Sequence, residues 1–272
     1  MMTGAIFQYD FVIKGLLGAV FASITAGIAG TYIVSRRMVF LSGGITHASF
    51  GGIGIGYFLG VNPIVGAAVF GILSALGIEY LSVQQKIRED SAIGILWALG
   101  MATGIIFIYL TPGYTPNLMS YLFGSILTVT NADIAALGVL SLILIAYFSV
   151  FYRTILYISF DESYARTYSS YVSVFKYITI SVMAITIVLN IRMAGVVLVI
   201  SLLTIPPNIA MIFTRRYVRI IIWSAIMAFA GTAAGYCVSF AAGIPPGATI
   251  IFALVVLWIV AKALSQVIRK LK

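Results

Sequence analysis

The stretch that decides the fold is residues 36–60, RRMVFLSGGITHASFGGIGIGYFLG. After the Arg36-Arg37 pair it carries no fixed charge, and its apolar residues are too continuous for the alternation of a barrel strand. A helix satisfies its own backbone in lipid, and about 20 apolar residues cross a bilayer. Within this run Gly44, Ala48, Gly52, Gly56 and Gly60 recur every four residues. That spacing makes a ridge of small residues on which a neighbouring helix can pack backbone to backbone. Beside the ridge sits His47, the single histidine of the chain.

The rest of the chain repeats the apolar theme. Of 272 residues, 62% are hydrophobic and 8% carry a fixed charge, against about 25% charged in a soluble domain. The mean hydropathy is +1.12. This composition excludes a soluble globule, a disordered chain, collagen and a nucleic-acid-binding module. Apolar runs lie at about 11–35, 38–59, 62–83, 92–110, 132–151, 174–190, 194–213, 219–240 and 248–268. They predict an all-α polytopic membrane protein of eight or nine spans, the lower count applying if one short segment is re-entrant. All of residues 1–272 read as one transmembrane domain. One cysteine, Cys237, allows no intrachain disulfide. The N-terminal residues show no basic-then-apolar segment with a cleavage site, so no removable signal is expected.

Charge orients the spans. Arg36, Arg37, Lys86, Arg88, Arg153, Arg166, Lys176, Arg215, Arg216, Arg219, Lys262, Arg269, Lys270 and Lys272 all fall on one side of a nine-span chain. The opposite loops, near residues 60–63, 111–130 and 241–247, hold no Lys or Arg. The positive-inside rule then puts the N-terminus outside and the C-terminus in the cytoplasm. Two residues stand apart. Lys14 follows Asp10 by four positions and can pair with it; Arg192 falls in what reads as a tight outer turn, residues 190–195. The net charge of +9 is therefore a topological signal, not a mark of nucleic-acid binding.

Several residues invite a chemical reading beside a plain one. An intramembrane histidine is costly, and imidazole is a common transition-metal ligand. His47 is either such a ligand, helped by Ser42, Thr46, water or a second subunit, or a histidine bonded to a neighbouring helix. Pro206-Pro207, after Thr204, removes two helix hydrogen bonds and predicts a break or kink; such breaks line cavities in transporters or are merely structural. Pro245-Pro246-Gly247 reads as a turn before the last span. Glu79 reads as a boundary residue or a pore acid. The segment of about 152–176 is the least apolar inner connection. In it Asp161 can cap a short helix and Glu162 can pair with Arg166 at i, i+4, giving either an ordinary interfacial helix or a docking element. No Gly-Lys-Ser/Thr and no HExxH occurs, so the chain has neither a phosphate-binding loop nor a two-histidine catalytic site. The seven acids are scattered, which speaks against an intramembrane hydrolase.

Taken in order, the motifs resemble the membrane permease subunit of bacterial ABC importers for zinc, manganese or iron. The resemblance rests on Arg36-Arg37-Met38 with Ser42-Gly43-Gly44-Ile45-Thr46-His47-Ala48, on Asp90-Ser91-Ala92-Ile93-Gly94-Ile95, and on Tyr121-Leu122-Phe123-Gly124-Ser125-Ile126-Leu127. It continues through Asp161 with Ala165, through Gly195-Val196-Val197-Leu198-Val199-Ile200-Ser201-Leu202-Leu203 leading to Pro206, and through Gly247-Ala248-Thr249-Ile250.

The resemblance implies a fold related to vitamin B12-importer permeases and a paired permease around a central path in the bacterial inner membrane. It implies two cytoplasmic ATPase subunits and an extracytoplasmic metal-binding protein. The chain itself would bind no cofactor and catalyse nothing; ATP would act on the partner subunit. Asp161, Glu162, Ala165, Arg166 and Ser169 would form the coupling helix, His47 would line the metal path, and Pro206 and Pro207 would gate it. Two positions depart from the family. Gly43 stands where relatives carry an Asp four residues before the histidine, and Ser169 stands where they carry glycine. The alternative from another class is a channel or ion-coupled secondary transporter with no ATPase.

Overall fold

A computed structural model describes residues 10–112, 124, 129–168 and 171–270. Among the described residues every regular element is a helix. They are α1 Asp10–Ser35, α2 Val39–Phe58, α3 Pro63–Val83, α4 Glu89–Leu110, α5 Asn131–Val150, α6 Tyr152–Phe160, α7 Glu162–Tyr168, α8 Val172–Phe213, α9 Tyr217–Ala242 and α10 Pro246–Lys270. Seven of them are long and apolar enough to cross a membrane: α1, α3, α4, α5, α8, α9 and α10. α2 is long enough, at 20 residues, but its glycine, serine, threonine and histidine lower its hydropathy.

Local chemistry explains the helix ends. α2 stops at Gly60, whose φ is +68°. The Gly60 N–H donates to the Tyr57 carbonyl at 3.1 Å and the Val61 N–H to the Gly56 carbonyl at 3.0 Å, the paired bonds of a Schellman cap. α3 follows at once because Asn62 Oδ1 accepts from the Ile64 N–H at 3.0 Å and Pro63 fills the first helical position. Thr130 and Asp133 form a reciprocal capping box on α5. Gly243 closes α9 with φ +67°, and α10 begins at Pro246. The turn expected around residues 245–247 is therefore the start of α10.

The described residues fall into two compact units. One draws on Met1–Arg37, Met119–Tyr152 and Arg192–Lys272, the other on Met38–Leu118 and Arg153–Ile191. In the first, α1 packs on α5 and α9, and α9 on α10. In the second, α2 packs on both α3 and α4, and α6, α7 and the start of α8 join them.

The expected ridge on α2 turns out to wind. Four residues advance a helix by 40° beyond one full turn, so successive members of the row drift around it. Gly44 faces Ile93 and Ala48 faces Gly100, both on α4, whereas Gly52 meets Gly66 and Gly56 meets Pro63, both on α3. At Gly52 and Gly66 each backbone lies directly on the other, and a side chain on either would enter the opposing peptide.

α8 refines two local expectations. The turn expected at residues 190–195 narrows to its last residue: the chain is helical through Ala194, and Asn190 Nδ2 donates to the Thr186 carbonyl within the helix at 2.7 Å. Arg192, still partly exposed, meets Asp133 Oδ1 at 2.7 Å. The interruption is Gly195 alone, with φ 78° and ψ 162°, a region open essentially only to glycine. Gly124 abuts the Ala194-Gly195 peptide there. The helix does not end at Pro206 and Pro207, which lie inside its helical run. Pro207 lacks the N–H that would bond the Leu203 carbonyl. That carbonyl is instead covered by α1, where a methyl on Gly30 would sit 2.5 Å from its oxygen.

Candidate functional site

His47 is half-buried on α2. Its imidazole stacks on the Trp97 indole of α4, with ring centroids 4.1 Å apart and planes 8° apart. The stack fixes the imidazole plane and contributes about 0.5–1.5 kcal/mol beyond its burial. One helical turn away the neighbours are Gly43, Gly44 and Gly51, which bear no side chain, and Phe50, whose ring lies against Gly104 of α4. Ser42 and Thr46 are buried, and their hydroxyls donate to the Val39 and Ser42 carbonyls of their own helix. The structure thus does not bring these two hydroxyls to the histidine. Gly43 supplies no ligand where the resemblance places a carboxylate. Among the described residues no group of three His, Cys, Asp or Glu side chains could hold a metal ion.

The inner segment is built from α6, α7 and the start of α8. Asp161 Oδ1 accepts from the Tyr164 N–H at 2.9 Å and caps α7. Glu162 and Arg166 pair at 2.9 Å. Ala165 is buried with Ile158 and Val172, and Tyr157 and Phe175 pack around them. These contacts seat α7 by its small residue and leave Tyr164, Arg166 and Thr167 exposed, with Phe160 and Tyr171 exposed beside it. Ser169 lies outside the described residues, as does the Asp10 side chain expected to pair with Lys14 and, Gly124 apart, the Tyr121–Leu127 motif.

Below the double proline, Thr204 and Asn208 help to line a cavity of about 380 Å³ with Ile205, Val255 and Trp258. Both polar side chains are bonded into α8: Thr204 Oγ1 donates to the Ile200 carbonyl at 2.8 Å, and Asn208 Nδ2 to the Thr204 carbonyl at 2.7 Å. Lys262 reaches over the Trp258 ring at 4.8 Å.

Apolar helices with a glycine-packed core, a half-buried histidine and an ion-paired connection mark a polytopic membrane protein. Residues 8–265 match the ABC 3 transport family, and the chain belongs to that family of ABC-transporter permeases. It is 36% identical over 250 residues to a probable metal transport system membrane protein of Chlamydia pneumoniae, covering 90% of this chain and 85% of the relative. It is 30% identical over 254 residues to the manganese transport system membrane protein MntC of Listeria monocytogenes, covering 93% and 90%. Its fold resembles that of PsaBC from Streptococcus pneumoniae, solved in complex with a Fab, with a TM-score of 0.85 and 25% identity over 95% of this chain and 93% of that one.

Two features escaped the sequence. Trp97 read as one more apolar residue of its span. Lys176 read as a loop cation, whereas it is buried between Glu79 and Glu162, at 2.6 and 3.0 Å.

Proposed function

We propose that this chain is the membrane subunit of an ATP-driven importer that moves a divalent transition metal, zinc or manganese with iron as a further candidate, across the bacterial inner membrane by alternating access. The observation that carries the reading is the likeness, over nearly its full length, to membrane proteins named for metal and manganese transport. The sequence has no Gly-Lys-Ser/Thr motif, so ATP would be hydrolysed on separate ATPase subunits. Two of these, a second copy of the permease, an extracytoplasmic metal-binding protein and the surrounding lipid would be its partners. Family membership disfavours the stand-alone channel or ion-coupled carrier.

Nine spans fit the dimensions. At 1.5 Å per residue a straight helix of 42 residues would be about 63 Å long, twice the roughly 30 Å of a bilayer core. α8 therefore crosses twice, turning at Gly195, and α2 adds the remaining span. The N-terminus lies outside and the C-terminus inside. The 152–176 segment is cytoplasmic, with Asp161, Glu162, Ala165, Arg166 and Ser169 in the element that docks on the ATPase. Pro206 and Pro207 allow α8 to rearrange.

His47 lines the path. With Gly43 in place of a carboxylate, each subunit offers the metal an imidazole and little else, a weak site suited to passage rather than retention. Replacing His47 with alanine is expected to lower radiolabelled zinc or manganese uptake by about tenfold or more in cells stripped of other importers. Uptake equal to the parent at matched membrane abundance removes His47 from the mechanism.

A further inference from the structure

α7 is tied to the membrane helices in two different ways. Ala165 rests among Ile158, Val172, Tyr157 and Phe175, an apolar seat without direction, across which a helix can slide. The second tie is directional. Lys176 Nζ, near the start of α8, lies 2.6 Å from Glu79 Oε1 on α3 and 3.0 Å from Glu162 Oε2 on α7. The Lys176 and Glu79 side chains are only 10% and 11% exposed. Arg166 holds the other Glu162 oxygen at 2.9 Å, so two acids and two bases balance.

Well-packed apolar residues at these positions would give comparable stability, because buried ions lose their hydration. A buried ion pair adds what an apolar contact lacks, a link of defined length and partner. Beyond Glu79 the connection needs no further side chain: α3 bears on α2 through Gly66 and Gly52, backbone on backbone. α2 carries His47. A displacement of α7 thus reaches the histidine helix through one ammonium group and the close glycine contacts between α3 and α2.

We propose that Lys176 is a positioning residue that transmits the displacement of α7 to α3, and through α3 to the helix that holds His47. The proposal rests on the reading of α7 as the ATPase-docking element. In it, Glu162 moves with the ATPase, Lys176 follows Glu162, and Glu79 draws the inner end of α3 along.

The test uses the complex of this chain with its ATPase in proteoliposomes, with radiolabelled manganese and zinc uptake and phosphate release measured on the same vesicles. A Thr167→Cys cross-link to the ATPase reports docking separately. Exchanging the buried charges, Glu79→Lys with Lys176→Glu, keeps their pair but turns the contact with Glu162 repulsive. This exchange is expected to retain the cross-link and to hold phosphate release within about twofold while uptake falls about tenfold or more. Adding Glu162→Lys together with Arg166→Glu restores alternating charge across all four members and should return at least about half of the uptake; Lys176→Arg alone, which still reaches both carboxylates, should stay coupled. Equal proportional loss of uptake and hydrolysis in the exchange, normal uptake in it, or no recovery in the fourfold exchange with the cross-link retained overturns the relay. A parent complex that gives no Thr167→Cys cross-link overturns the docking reading instead.

Discussion

Leucine in place of Gly52 is expected to eliminate the folded protein. A Cβ at this position would enter the Gly66 carbonyl and the Ala67 N–H, both backbone groups that no rotamer change can clear. Overpacking a close-fitted core with one or two extra methylenes costs about 1–3 kcal/mol. A whole isobutyl group between two touching backbones exceeds that, against a total stability of about 5–15 kcal/mol. The control lies on α4. Gly94 has open space where its Cβ would be, so Gly94→Ala should raise stability by about 0.5–1 kcal/mol through helix propensity. Thermal melts of the detergent-purified variants check both. A Gly52→Leu melting temperature within a degree or two of the parent would mean that α2 and α3 are not in backbone contact.

The second large effect is expected at Lys176. Lys176→Met leaves Glu79 and Glu162 with no shared cation, and Glu79 sits at 9% exposure. Breaking a buried pair by removing one partner costs about 3–5 kcal/mol, because the remaining charge stays desolvated. Replacing both buried ions, Lys176→Met with Glu79→Leu, should recover most of that loss, since the uncompensated carboxylate is gone. Denaturation of the single and double variants measures the difference. A single variant within about 0.5 kcal/mol of the parent would show that the cluster is hydrated and carries no strain of charge burial.

How far the sequence reveals this molecule depends on the distance over which each interaction acts. The Asp161 cap and the Glu162–Arg166 pair are readable because their partners lie three and four residues apart on one helix. The helix punctuation at residues 60–63 is readable because Gly60, Asn62 and Pro63 each act on their own backbone. The Lys176–Glu79 pair and the His47–Trp97 stack join helices far apart in the chain, and nothing local to either residue marks its partner. The α2 ridge announces close packing but not that the row winds from α4 to α3, since that depends on where the neighbours stand. The double proline is a strong local signal and still predicts a break that α8 does not have at that point. Proline's fixed φ is itself helical, and the freed Leu203 carbonyl is covered by Gly30. The interruption between the runs at 174–190 and 194–213 is readable, but that Gly195 alone makes it, in a conformation other residues avoid, is not.

The central claim is that the chain moves divalent metal only when an ATPase partner drives it. It is tested most directly by radiolabelled manganese and zinc uptake into proteoliposomes holding this chain with its ATPase, with the metal-binding protein outside and ATP supplied to the ATPase side. Uptake of at least one metal that stops when ATP or the ATPase is omitted is the expected result. Equal uptake without ATP or without the ATPase, or ATP hydrolysis with no uptake of any divalent metal, would contradict it.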